Sequence, residues 1–142
     1  MSGQDRKYMT QWSAQFFAAA ELARRGYLVS LTLGNAPSAD LIVQSPKGTR
    51  FTVDVKGQAT KNFWLIQKRE ANPAAHFFIL VYLPKSYDPP WYFIVPSDEL
   101  MKKREEYARK IISRGRPYRD DLGGINWSTA HEYRDKWDCL PP

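Results

Sequence analysis

The sequence predicts an α/β (α+β) domain: a mixed central sheet flanked by helices. Three observations predict it. An apolar pattern of helical period opens the chain, short β-rich runs separated by turn signals fill the middle, and a capped, charged helical segment follows the last of them. At 142 residues the chain has room for one sizeable core, and residues 1–142 are read as a single domain.

The first helix is expected from about Thr10 to Arg25. Trp12, Phe16, Ala19, Ala20 and Ala23 recur at helical spacing, Arg24 and Arg25 suit the last turn, and Gly26 suits the C′ position. Tyr27 to Leu33 reads as a first strand. The breakers from Gly34 to Ser38 form a loop, in which Asn35 and Ser38 serve loop chemistry or touch phosphate. Asp40 then opens the short apolar run Leu41-Ile42-Val43. Ser45-Pro46-Lys47-Gly48 fits a type I turn, and Phe51 to Lys56 follows as the returning strand of a hairpin.

Phe63 to Ile66 is apolar but too short to type. Phe77 to Leu83 is a continuous apolar run, as a buried strand requires, and Trp91 to Val95 pairs with it after the loop from Pro84 to Pro90. Ser97 is the expected N-cap of a helix reaching Ser113, with Asp98 and Glu99 in its first turn. Gly115 to Asn126 is irregular, and Ser128 to Trp137 is read as a closing helix.

The net charge of +6 favours an anionic partner. Lys102, Lys103, Arg104, Arg109, Lys110, Arg114, Arg116 and Arg119 carry much of it, opposed nearby by Glu105 and Glu106. A solvated helix face and a phosphate-contacting one both fit that run. Cys139 is the single cysteine, which excludes an internal disulfide. With His76 and His131 widely spaced, a Cys/His zinc site is excluded too. Cys139 and His76 are read as packing residues, and Trp64, Trp91 and Tyr92 as core or dimer contacts. The start is polar and lacks an apolar signal region, no segment has the length of a membrane span, and a reducing cytoplasm is the expected compartment.

The chemistry is concentrated in Thr52-Val53-Asp54-Val55-Lys56-Gly57-Gln58. Strand alternation sends Phe51, Val53 and Val55 to one face and Thr52, Asp54 and Lys56 to the other, with Gln58 continuing that second face. In the hairpin, Asp40 at the start of one strand meets Asp54 near the end of its partner. Two carboxylates and the Val55 carbonyl then converge on one hard cation, for which Mg²⁺ (or Mn²⁺) is suited. Such a cation polarises a phosphoryl oxygen and makes a nearby water a stronger acid. Lys56 positions that water or stabilises the charge that develops on phosphorus.

Asp40, a hairpin and then Asp54-Val55-Lys56 resemble the PD-(D/E)XK nuclease-like group, with Ala39-Asp40 standing where that group often has Pro-Asp. The run from Phe16 to Tyr27 looks like the first helix of its Holliday-junction-resolvase-like and small restriction-type members. The pieces Trp91 to Pro96 and Trp137-Asp138 resemble small proteins of the same group. The resemblance implies a restriction-endonuclease-like αβββαβ core and a Mg²⁺-dependent endonuclease acting on DNA as a homodimer. Its alternatives are a nucleic-acid-binding module of the same fold that has lost turnover, and a protein-interaction domain. The group often places a Glu in the first helix, reaching the metal or its water. Aligned on Arg24-Arg25-Gly26-Tyr27, that position is Gln15. With the buried stripe centred on Trp12, Phe16, Ala19 and Ala23, Gln15 flanks it and Glu21 points to solvent.

Overall fold

The computed structural model describes residues 2–32, 39–70, 72 and 75–142. The loop at 34–38, with Asn35 and Ser38, lies outside the described residues. In chain order the elements are α1 (Gly3–Arg24), β1 (Leu28–Leu31), β2 (Leu41–Gln44), β3 (Arg50–Gln58), β4 (Trp64–Leu65), β5 (His76–Tyr82), β6 (Trp91–Pro96), α2 (Ser97–Ser113), β7 (Gly124–Ile125) and α3 (Trp127–Ala130). Among the described residues, five strands form one mixed sheet in the order β1-β2-β3-β5-β6, in which β3 and β5 run parallel and the other neighbours antiparallel. β4 and β7 make a separate two-stranded ribbon. The expected mixed sheet flanked by helices is therefore present. One detail differs from the αβββαβ order: the described residues between β3 and β5 hold β4 and extended chain in place of a helix.

Period-two alternation divides the interior into two layers. Val53 and Val55 of β3, Phe77, Ile79 and Val81 of β5 and Ile94 of β6 face α1. Phe78 and Leu80 of β5 and Phe93 and Val95 of β6 face the opposite layer, where Leu100 of α2, Trp64, Ile66, Ile125 and Ala130 close over them. β5 is buried on both faces, which explains its uninterrupted apolar sequence. Cys139 packs against the α1-side layer as expected, its thiol pushed up to about 12, chiefly by burial.

α1 starts earlier than its apolar pattern does. Ser2 and Asp5 form a capping box that satisfies the first N–H groups and extends the helix back to Gly3. At the other end Gly26 has φ +92°, and the N–H groups of Tyr27 and Gly26 bond Leu22 and Ala23 carbonyls, a Schellman closure. The buried stripe differs from the expected one: it is Ala14, Ala18 and Leu22, while Trp12 and Phe16 are 40% and 55% exposed. The cause lies on β3. A Cβ on Gly57 would stand 2.5 Å from the Ala14 Cβ and 3.1 Å from the Thr10 carbonyl oxygen. The helix lies so close to the strand that only small side chains fit between them, and the aromatic rings are left on the outer flank.

Two further expectations are corrected. Ser97 does not cap α2: Pro96 is the N-cap, and the Ser97 hydroxyl is buried with no hydrogen-bond partner among the described residues. The single closing helix is instead the short α3 followed by two 3-10 turns, His131–Tyr133 and Trp137–Cys139. Asp135, at φ +55°, breaks the helical path, and a bridge from Arg134 to Phe93 ties the break to the edge of β6. In α2 the basic run is not uniform. Arg104 is buried, donating to the Ile66 carbonyl at 2.6 Å and to the Asp120 carboxylate at 2.8 Å, so this cation locks the β4–β7 layer onto the helix. Among the described residues no helix is long and apolar enough to cross a membrane.

Candidate active site

The site forms where β3 outruns β2. The last pair of that ladder is Leu41 with Val53, and Asp40 stands one step beyond it, its N–H bonded to the Val53 carbonyl at 3.0 Å. From there on, among the described residues, β3 has no strand on that side. Its outward N–H and C=O groups must be satisfied otherwise. The Asp40 Oδ2 accepts the Val55 N–H at 2.8 Å. Gln11 of α1 supplies the rest: its amide donates to the Val55 carbonyl at 2.7 Å and accepts from the Gly57 N–H at 3.1 Å. A primary amide carries one donor side and one acceptor side, so Gln11 continues the ladder in the manner of a strand residue. Gln15, one turn on, donates to the Asp40 Oδ1 at 3.4 Å.

Asp54 and Lys56 emerge on the face opposite α1, as alternation requires, and line an open cleft of about 320 Å³ together with Gln67, Arg69, Glu70 and Phe78. Asp40 is not part of that lining; it meets β3 from the strand edge. The parallel register adds a residue that the sequence reading set aside. Thr52 pairs with His76, which starts β5 on the same face as Asp54. The His76 Nε2 lies 3.1 Å from the Asp54 Oδ2, and Arg69 Nη1 lies 2.5 Å from the same oxygen. His76 therefore belongs to the constellation rather than lying outside it. Its Nδ1 is buried and has no hydrogen-bond partner among the described residues.

The two carboxylates are tuned in opposite directions. Burial raises Asp40 above its ordinary value of 3.8, nearby Asp54 adds to the rise, and the Val55 N–H and Lys56 only partly offset it. Burial also pushes Asp54 up, but the His76 hydrogen bond and the charges of His76, Arg69 and Lys56 outweigh it and hold that carboxyl below 3.8.

Of the residues expected here, Asp40, Val55 and Gln15 are joined by hydrogen bonds at the strand edge, and Asp54 and Lys56 line the adjoining cleft on the other face of β3. Gln58 does not join them; its amide turns to the Asn62 carbonyl at 2.8 Å. Glu21 is away from the site, paired with Arg24 and Arg25. Gln11, Arg69 and His76 are the additions. The Gln11 signal lies in its spacing from Gln15, one helical turn on the face of Ala14 and Ala18. Arg69 and His76 carry no signal until the β3–β5 register is known.

Among the described residues, no group of three or more His, Cys, Asp or Glu side chains is placed to hold a metal. The donor chemistry nevertheless fits a hard cation that keeps several waters, which needs only one or two carboxylates. Asp54 Oδ1 has no hydrogen-bond partner among the described residues, and Asp40 and the Val55 carbonyl each retain lone pairs beyond the bonds they already accept.

No known family matches the chain, and no curated protein is similar to it in sequence. In three dimensions it is similar to the bacterial homing endonuclease I-Ssp6803I, with a TM-score of 0.51 and 19% identity, over 92% of this chain and 88% of that one. At that identity the likeness is one of fold.

Proposed function

We propose that this protein is a Mg²⁺-dependent endonuclease that hydrolyses DNA phosphodiester bonds. The observation that carries the reading is Asp40 at the end of the β2–β3 ladder, its Oδ2 on the Val55 N–H, with Asp54 and Lys56 on the adjoining cleft. The fold it shares with a homing endonuclease supports the same class of reaction. It is a reading within the PD-(D/E)XK group, to which the spacing of Asp40, Asp54 and Lys56 bears its resemblance.

Asp40, Asp54 and the Val55 carbonyl would hold the cation, which supplies Lewis acidity at the phosphoryl oxygen. The chain's own groups do the rest. Lys56 turns its ammonium toward the cleft, where it stabilises the negative charge that grows on the phosphoryl oxygens as a water oxygen bonds to phosphorus and the leaving oxygen departs. Gln15 orients Asp40 through Oδ1, and Gln11 fixes the stretch of β3 from which Val55 and Lys56 project. A single site engages one strand, so cutting both calls for a homodimer.

Supercoiled plasmid with Mg²⁺ or Mn²⁺ tests this. The expected result is nicking or linearisation, reduced at least about 100-fold in Asp54→Ala and Lys56→Ala. Direct conversion to linear product marks paired sites, whereas accumulating nicked circles mark a single one. Gln15 in place of a carboxylate, and the two basic groups already on Asp54, favour a second reading: a nucleic-acid-binding module without turnover. Metal-independent DNA binding with no cleavage in clean preparations would establish it and overturn the first.

A further inference from the structure

Three atoms at the cleft crowd one another. Asp54 Oδ2, Arg69 Nη1 and His76 Nε2 form a triangle with sides of 2.5, 3.0 and 3.1 Å. Only two of these three contacts can be hydrogen bonds. If the His76 Nε2 carries a hydrogen, it donates to Asp54 but meets the Arg69 N–H head on. If it does not, it accepts from Arg69 while its lone pair faces the carboxylate. Arg69 therefore holds Asp54 at the expense of one mismatched contact. His76 is fixed, being 4% exposed in its side chain at the start of a buried strand, whereas the Arg69 side chain is 34% exposed and comes from outside any strand or helix.

Charge makes the same point. The cleft lining holds two acids, Asp54 and Glu70, and two bases, Lys56 and Arg69. In this balance it offers a phosphodiester no net attraction. A divalent cation shifts the balance, because it competes with Arg69 for the one carboxylate they share, and a displaced guanidinium is left facing the cleft with donors that match phosphate oxygens.

We propose that Arg69 is the site's resident counter-cation: it neutralises Asp54 while no divalent cation is present, and moves to the phosphate of the bound DNA once one is. This rests on the nuclease reading above and adds a residue to it, with an order of events in which cation binding precedes tight DNA binding.

The test separates the two ideas by using Mn²⁺ alone and DNA alone. Calorimetric titration of the wild-type protein with Mn²⁺, lost in Asp40→Ala, establishes the metal site by itself. In Arg69→Ala, Mn²⁺ binds roughly 3- to 30-fold more tightly, the order expected when a partly exposed charge-assisted bond need not be broken first. Affinity for a DNA duplex falls severalfold more in Ca²⁺ than in EDTA, and Arg69→Lys restores part of it. A purely structural Arg69 would give the opposite sign for Mn²⁺, since a loosened site binds metal less well. Unchanged or weaker Mn²⁺ binding in a cooperatively melting Arg69→Ala overturns this inference and leaves the nuclease reading standing. So does a loss of DNA affinity that is equal in Ca²⁺ and EDTA. Mn²⁺ binding that survives Asp40→Ala overturns both.

Discussion

Gly57→Ala is the sharpest test of how the helix and the site depend on each other. Gly57 does not need its glycine for backbone conformation, since it lies within β3 and its φ is not positive. The substitution is therefore a steric probe. The new methyl would stand 2.5 Å from the Ala14 Cβ, against about 3.5–4.0 Å for an ordinary carbon contact, so α1 must retreat by about 1–1.5 Å. Overpacking of this kind costs about 1–3 kcal/mol, from which the reduced freedom of the unfolded chain returns about 0.4–1. At midrange the net loss is about 1.3 kcal/mol, which in a chain of this length is a fall in Tm of about 4–5 °C. The retreat also draws Gln11 away from the Val55 carbonyl and the Gly57 N–H, so Mn²⁺ binding should weaken with stability.

The control is Ala14→Gly. Alone it is destabilising, because glycine in a helix interior costs about 1 kcal/mol and a buried methyl is lost. Combined with Gly57→Ala it removes the closer of the two contacts, leaving the one to the Thr10 carbonyl, and the pair should be more stable than the sum of the single effects by about 1–2 kcal/mol. Thermal melts by circular dichroism and urea titrations of the four proteins measure this. A Gly57→Ala protein that melts within about 1 °C of wild type, or single effects that simply add, would refute the close-approach argument.

Two other outcomes follow from the same geometry. Asp40→Asn should raise stability at pH 7 while removing Mn²⁺ binding, because the Asn oxygen can still accept the Val55 N–H and the disfavoured charge is gone. The sign follows from the raised carboxyl: folded Asp40 keeps its proton above 3.8 after the unfolded chain has released it, so wild-type stability falls as pH rises through that interval. The advantage of the variant in urea should therefore grow from pH 3.5 to pH 7, and an advantage that shrinks instead would contradict it. Gln11→Leu strands the Val55 carbonyl and the Gly57 N–H and should cost about 1–3 kcal/mol at unchanged m-value. Amide exchange at Gly57 should accelerate with it; a Gly57 amide that stays protected would show that Gln11 is not its partner.

Much of this architecture was legible because strand alternation and turn chemistry are local. The Ser45-Pro46-Lys47-Gly48 turn forms with its Gly48 N–H bonded to the Ser45 carbonyl, and Gly48 takes φ +92°, so the hairpin that brings Asp40 to Asp54 follows from the residues in it. Helix orientation was not legible. The pattern Trp12, Phe16, Ala19 and Ala23 is apolar at helical spacing, yet the stripe that packs is the smaller one, since the facing strand carries Gly57 and admits only alanine-sized neighbours. Hydrophobicity alone ranks the aromatic stripe first; the fit of the interface reverses it. His76 and Arg69 were hidden for another reason. Both reach Asp54 only through the parallel pairing of β3 with β5, a long-range register that no local pattern encodes.

The unlike behaviour of the two acids follows from where each one stands. Asp40 projects from the end of β2 into a corner made by α1 and the backbone of β3, where the groups that meet its oxygens are neutral amides: the Val55 N–H and the Gln15 side chain. Such groups solvate a carboxylate but bring no net charge, and burial with a second acid nearby prevails over them. Asp54 projects from the other face into a cleft furnished with Arg69, Lys56 and His76, and there cations prevail over burial. A glutamate in place of Gln15 would put a third carboxylate against an acid whose charge is already disfavoured. The amide avoids that cost, and in doing so leaves Asp54 as the better-ionised of the pair and Asp40 as the one with most to gain from a cation between them.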